Sequence, residues 1–80
     1  MLEIIKAKYN IHYKIEMIFN DKTQGIVDLK DIIFNDHRKI FTELKDLNKF
    51  KKFKIKHDTI CFENGLDLAP EFLHNLLKKS

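Results

Sequence analysis

The stretch Phe62–Glu71, FENGLDLAPE, indicates a strand that turns directly into a final helix. Asn64 and Gly65 end the strand, because glycine readily adopts the positive φ that a sharp reversal needs. Pro70 suits the first position of a helix, where its missing amide costs nothing. We expect Asp67 to cap this helix or to bond the amides of the turn itself. The stretch is therefore predicted to be a structural motif.

Residues on either side of this junction extend the pattern. Upstream, Phe53–Ile55 and Ile60–Phe62 alternate between apolar and polar residues, which predicts two short strands. His57–Thr59 lies between them and is expected to form a hairpin turn. Downstream, apolar residues recur at helical spacing and predict one buried helix face: Phe72, Leu73, Leu76 and Leu77. Lys78 and Lys79 then suit the negative end of that helix.

The first half of the chain is dominated by strand patterns. Apolar residues alternate with mostly polar ones through Ile11–Phe19, which predicts a strand with one buried face. Leu2–Tyr9 and Gln24–Leu29 are predicted to be its neighbours, and the polar residues 20–23 form a tight turn. Three antiparallel strands are marginal in water on their own, so we expect helices to cover their apolar face.

A helical stripe follows in the middle of the chain. Asn35 or Asp36 can cap a helix that starts near His37. Its apolar positions lie on one face: Ile40, Phe41, Leu44, Leu47 and Phe50. Asp46 could also restart a second short helix, so the sequence leaves open one helix or two between Asn35 and Lys52.

The order of these elements, βββ-α-ββ-α, predicts an α+β fold with a small antiparallel sheet of about five strands and helices on one face. Eighty residues indicate a single domain, residues 1–80. Cys61 is the only cysteine, which excludes an intramolecular disulfide and favours a reducing compartment. The N-terminus does not have the pattern of a signal peptide, and no stretch reaches the ~18–20 apolar residues of a membrane span. We expect a cytoplasmic protein without a membrane partner.

Several of these segments resemble the bacterial family DUF2442, whose function is unknown. The stretch that carries the resemblance is Asn64–Glu71, and it is supported by Phe19–Asp21, by Val27–Leu29 and by Phe41, Leu44, Asp46 and Phe50. The chain departs from the family in having Phe62 where tryptophan is usual. The resemblance implies a compact α+β fold, no demonstrated enzyme chemistry, and an association with pairs of genes that look like toxin–antitoxin systems.

Catalytic, metal and cofactor chemistry is not expected from the residues themselves. The four histidines are scattered without ligand spacing: His12, His37, His57 and His74. Cys61 alternates with two apolar residues that should face the core, so it should point away from the core and lacks the pattern of a nucleophile. Gly25 and Gly65 are the only glycines, which excludes a glycine-rich phosphate loop. The sequence predicts no enzyme, no metal and no cofactor.

Two sets of residues are candidates for contact with a partner. The first is a basic strip interleaved with Phe50 and Phe53: Lys49, Lys51, Lys52, Lys54 and Lys56. Such a strip can bind phosphates or an acidic protein, but without a nucleic-acid recognition motif it more often forms a solvated face. The second is the exposed side of the last helix, with Glu71 and His74.

These observations favour a non-enzymatic domain that binds and restrains another protein, as an antitoxin or an inhibitor from a mobile element does. The partner would then be a toxin or a nuclease complex. The alternative is a nucleic-acid-binding accessory protein that uses the strip Lys49–Lys56. A net charge of +3 argues against DNA mimicry, and a homodimer is left open.

Overall fold

The computed structural model describes residues 1–78 and contains three strands, then three short helices, two strands, a helix and a last short strand. The strands are β1 (Ile4–Tyr9), β2 (Lys14–Phe19), β3 (Gln24–Asp28), β4 (Lys54–Lys56), β5 (Thr59–Cys61) and β6 (Leu77–Lys78). The helices are α1 (Lys30–Asn35), α2 (Lys39–Thr42), α3 (Leu47–Phe50) and α4 (Pro70–Asn75), and the 3₁₀ turn Glu43–Lys45 follows α2. The predicted α+β class is confirmed.

The strands form two antiparallel sheets. The larger sheet has the order β1-β2-β3-β6, and the smaller one is the hairpin β4-β5. The Ile4 amide donates a hydrogen bond to the Asp58 carbonyl (2.9 Å), so the tip of the hairpin meets the start of β1. This contact does not continue as a ladder between β1 and the hairpin. The predicted single sheet of about five strands is therefore wrong.

Strand β2 shows why the larger sheet has a buried and an open side. Its inward side chains are fully buried: Ile15, Met17 and Phe19. Between them, Glu16 is exposed and Ile18 is partly buried. Successive side chains of a strand point to opposite faces, so this alternation turns one face of the sheet to the core. The predicted one-sided strand is confirmed, although it begins at Lys14 rather than at Ile11.

Backbone turns explain the later start of β2 and the sharp hairpin. His12 and Tyr13 have φ of 52° and 67°, and His57 and Asp58 have φ of 51° and 69°. A pair of residues with positive φ matches the right-handed twist of the flanking strands in a tight hairpin. Residues 12 and 13 therefore belong to a turn and not to β2. The predicted hairpin turn is confirmed at His57 and Asp58, whereas Thr59 belongs to β5.

The middle of the chain contains several short helices instead of one. Helix α1 was not predicted, and the predicted helix start near His37 is wrong because α2 begins at Lys39. The Asp36 carboxylate interrupts the helical run, since it accepts hydrogen bonds from the amide and the side chain of Arg38. These bonds lower the pKa of Asp36 to about 2. Asp46 accepts a hydrogen bond from the Asn48 amide (2.9 Å) and starts α3, so the restart at Asp46 is the correct alternative.

The end of α4 also differs from the prediction. The helix stops at Asn75, and Leu77 and Lys78 pair with Val27 and Ile26 of β3. Placing Leu77 on the helix was therefore wrong, because backbone pairing with β3 replaces the last helical turn. The predicted role of Lys78 at the helix end is wrong for the same reason, and Lys79 lies outside the described residues.

The two sheets share one hydrophobic core on the helical side. Phe50 of α3 is fully buried, and its ring lies edge-on to Tyr9 at 6.0 Å and to Tyr13 at 5.3 Å. The Phe62 ring lies 5.3 Å from the Phe50 ring, and Ile60 of β5 joins the same core. The hairpin therefore joins the core through Ile60, whereas Ile55, which pairs with Ile60, is 40% exposed.

Candidate functional site

The strand-to-helix junction Phe62–Glu71 is held by the side chain of Asn64. Its Nδ2 donates to the Ile40 carbonyl (2.9 Å) and to Oε1 of Glu43 (3.0 Å). Its Oδ1 accepts from the Leu66 amide (3.2 Å), which closes a turn within the loop. Gly65 follows with φ of 93°, a conformation that residues with a Cβ adopt at a cost. These contacts support the predicted structural role of Asn64 and Gly65.

The remaining polar residues of the junction separate into different roles. Pro70 lies at the start of α4 and Glu71 is exposed in its first turn, as predicted. Asp67 does not cap the helix, so that alternative is wrong. Ala69 occupies the cap position, and no side chain bonds the helix start there. Asp67 instead forms an antiparallel backbone bridge with Cys61. It lies two residues before the cap residue Ala69.

His74 is engaged by the protein itself. Its Nε2 lies 3.1 Å from Oγ1 of Thr23 and 3.1 Å from Oδ2 of Asp21. The imidazole also packs edge-on against the Phe19 ring at 4.9 Å. These contacts tie α4 to the turn between β2 and β3, which supports a structural role for His74. Whether it also contacts a partner stays a prediction.

The five candidate lysines do not form one continuous strip. The Lys51 Nζ lies 5.1 Å from the centre of the Tyr9 ring, and Lys49 lines a separate depression of about 200 Å³ with Glu43 and Glu63. The other three lysines line one groove of about 230 Å³. We call this the lysine groove; its residues are Lys52, Lys54, Lys56, Cys61, Phe62, Glu63 and Gly65.

Strand alternation brings the lysine groove together. Lys54 and Lys56 are two residues apart on β4 and therefore project to the same side. Cys61 lies directly opposite Lys54 in the hairpin register. Cys61 is half-buried and lines the groove, while Ile60 and Phe62 are buried in the core, as predicted. Glu63 and Gly65 come from the loop that Asn64 holds.

The lysine groove carries excess positive charge. Three lysines and one glutamate line it, and all three lysines are exposed. Within residues 1–78 the ion pairs are Arg38–Asp36 and His74–Asp21, so no carboxylate lies within 4.0 Å of a groove lysine. Local electrostatics therefore favour an anion at this position.

A second open surface is the side of the larger sheet that faces away from the core. We call it the outer sheet face; its residues are Lys6, Lys8, Glu16, Ile18, Gln24 and Ile26. The part between β1 and β2 forms a shallow depression of about 500 Å³. Strands β4 and β5 lie against β1, one of the two strands that line this depression.

Lys6 and Lys8 were missed as candidate contact residues. They alternate in β1 with Ala7 and Tyr9, which are packed against the core. That alternation was visible in the sequence, but its link to the lysine groove depends on β1 and β4 being neighbours. About 45 residues separate them along the chain, so the sequence alone did not connect them.

Metal binding and membrane spanning can both be checked in the described residues. Nowhere in residues 1–78 do three or more His, Cys, Asp or Glu side chains gather in a way that could hold a metal ion. Over the same residues, every helix is too short or too polar to cross a bilayer.

These features define a small α+β domain with an open sheet face and a cationic groove. The chain belongs to DUF2442, a family described as a protein of unknown function, whose match covers residues 4–78. The resemblance seen in Asn64–Glu71 is thus confirmed. No curated protein and no solved structure matches the chain.

We predict that Asn64→Ala lowers the free energy of unfolding by about 1–2 kcal/mol, because it removes two hydrogen bonds between the loop and the helical segment and one within the loop. Urea denaturation measures the change. Asn48→Ala is the matched control, since Asn48 is exposed on α3 and only its backbone amide is bonded at the helix start. Equal losses of stability in the two variants would contradict the role of Asn64.

A second prediction concerns Asp21. Its pKa lies below the ordinary 3.8, mainly because the Thr23 hydroxyl donates to it, with smaller effects from the Thr23 amide and His74. A carboxyl whose pKa is lowered by folding stabilises the fold above its unfolded pKa, and this stabilisation is lost as the pH falls through the folded pKa. We predict that Thr23→Val raises the pKa of Asp21. As the pH falls below 3.8, the free energy of unfolding should therefore decrease less in the variant than in wild type.

The measurement is an NMR titration of the Asp21 carboxyl carbon in wild type and variants. His74→Gln serves as the comparison, because His74 contributes less to the shift than Thr23 does. A larger rise in the pKa of Asp21 for His74→Gln than for Thr23→Val would show that the histidine is the main cause.

Proposed function

We propose that this chain is a non-enzymatic interaction domain that binds a partner protein and restrains it, in the manner of an antitoxin or an inhibitor. The observation that carries the proposal is the outer sheet face. Helices α1, α3 and α4 contribute buried residues to the core on the opposite side, and the outer face keeps no covering element within residues 1–78. An uncovered sheet face that carries apolar side chains offers a docking surface to a partner.

The composition of the outer sheet face suits a protein. Ile18 and Ile26 are partly buried, lie on neighbouring strands and are diagonal neighbours in the register, because Ile18 pairs with Gln24 and Glu16 pairs with Ile26. Lys6 pairs with Ile18 from the other side, on β1. An apolar centre with a polar rim is the usual anatomy of a protein interface.

The same face is less suited to nucleic acid. Single-stranded nucleic acids bind through aromatic side chains on which their bases stack. The residues of the outer sheet face include no aromatic ring, and Glu16 places a carboxylate among them. Contact with a protein is therefore the better match.

Restraint of the partner follows from occlusion. A domain that acts by covering a surface of its partner needs a shape and charges that complement that surface. The outer sheet face and the lysine groove can supply them, and their strands β1 and β4 are in contact. The proposal thus requires no chemistry from Cys61 or from the histidines. It predicts that inhibition rises in proportion to the amount of complex formed.

The experiment combines affinity capture with an activity assay of the captured partner. Ile18→Glu places a charge at the centre of the outer sheet face and is expected to weaken binding at least about 30-fold, as loss of a central contact of ~2 kcal/mol would. Ile11→Glu is the matched control, because Ile11 is exposed in the loop before β2. Thermal denaturation verifies that both variants fold.

The expected result is a partner that binds wild type and Ile11→Glu, is lost with Ile18→Glu, and loses its activity as one equivalent of the domain is added. A partner that binds all three proteins equally, or that keeps full activity when saturated, would overturn the proposal.

A further inference from the structure

The lysine groove concentrates three ammonium groups without counter-ions. Lys52 follows α3, and Lys54 and Lys56 belong to β4, yet all three line the same groove. Glu63 is the single carboxylate among the groove residues and makes no ion pair with them within 4.0 Å. Like charges held together repel one another, and a bound anion relieves that repulsion.

The spacing of these charges matches an extended polypeptide. Lys54 and Lys56 are two residues apart on a strand, so their Cβ atoms repeat at roughly 6.6–6.8 Å. Acidic side chains at alternate positions of an extended segment repeat at the same distance. Such a segment can place one carboxylate near each of these two lysines, and Lys52 adds a third positive charge to the lining of the groove.

The surroundings favour a protein segment over a phosphate backbone. The groove is short, about 230 Å³, and Cys61 and Phe62 give part of its lining an apolar character. Phe62 is 2 % exposed, so its ring is not available for stacking with a base. Ile18 on the outer sheet face offers apolar contact that suits a protein.

From this geometry we infer that the lysine groove recognises an acidic, extended segment of the partner protein. The inference rests on the proposed function for the identity of the partner as a protein, and adds the chemistry of the segment that is recognised. The outer sheet face supplies apolar contact and the groove supplies charge selection. Charge selection of this kind controls association rate and specificity more than affinity.

The competing explanation is that lysines on an edge strand only prevent pairing between sheets of different molecules. That role needs positive charge on β4 but no ligand. The two explanations differ in whether an acidic segment binds at this place, which a defined peptide can test.

The probe is a short synthetic peptide that alternates Glu and Thr, added to ¹⁵N-labelled protein at low salt. The matched peptide with Gln in place of Glu is the neutral control, and oligothymidylate of equal charge is the nucleic-acid control. We expect the Glu peptide to shift the amide signals of Lys54, Lys56, Cys61 and Gly65, and the Gln peptide to leave them unchanged.

Two charge-reversal variants test the position of binding. Lys54→Glu with Lys56→Glu is expected to weaken binding of the Glu peptide at least about tenfold, since it replaces two attractions with two repulsions. Lys22→Glu with Lys39→Glu changes the net charge equally at exposed lysines outside the groove and is expected to weaken it much less. Lys54→Gln with Lys56→Gln keeps the test valid if the reversed charges disturb the hairpin.

The inference fails if the Glu peptide does not bind, if both charge reversals weaken it equally, or if oligothymidylate binds more tightly than the peptide. These failures are distinct from failure of the proposed function. A partner that is lost with Ile18→Glu but is bound unchanged by Lys54→Glu with Lys56→Glu would leave the proposed function standing and overturn the inference. Peptide binding at the groove without a restrained partner would overturn the proposed function alone.

Discussion

The Phe50 ring is fully buried where the two sheets meet, with the rings of Tyr9, Tyr13 and Phe62 between 5.3 and 6.0 Å from it. Aromatic pairs of this geometry stabilise by about 0.5–1.5 kcal/mol each beyond the area they bury. Helix α3, which presents Phe50, has only four residues and begins at the side chain of Asp46. A two-stranded hairpin is marginal alone, so β4 and β5 depend on this shared core for their position.

Because the larger sheet is buried on one face only, the position of this core also decides which face stays open. The inward residues of both sheets pack under the helices, which leaves the outer sheet face and the lysine groove on the open side. The Asn64 side chain then fixes the loop that supplies Glu63 and Gly65 to the groove. The junction is thus structural in its own contacts, and it shapes the surface beside it.

Local patterns predicted the parts of the fold that local chemistry decides. The alternation in β2 and the turn at Asn64 and Gly65 are of this kind. Helix α1 was missed because its three consecutive apolar residues, at positions 32–34, have no helical spacing. Leu77 fits the apolar stripe of α4 as well as it fits a strand, and only its pairing with Val27 decides between them. The lysine groove was predicted in part, since its lysines are close in sequence while its walls come from a later loop.

Native-state hydrogen exchange tests most directly whether one core unites the two sheets. The Phe19 amide donates to the Thr23 carbonyl at the end of β2, and the Phe62 amide donates to the Leu66 carbonyl after β5. If Phe50 joins both sheets in one cooperative unit, the two amides exchange with the same free energy of opening, and Phe50→Leu lowers both by the same amount. Exchange of the Phe62 amide through a separate opening of lower energy, unaffected by Phe50→Leu, would contradict the account.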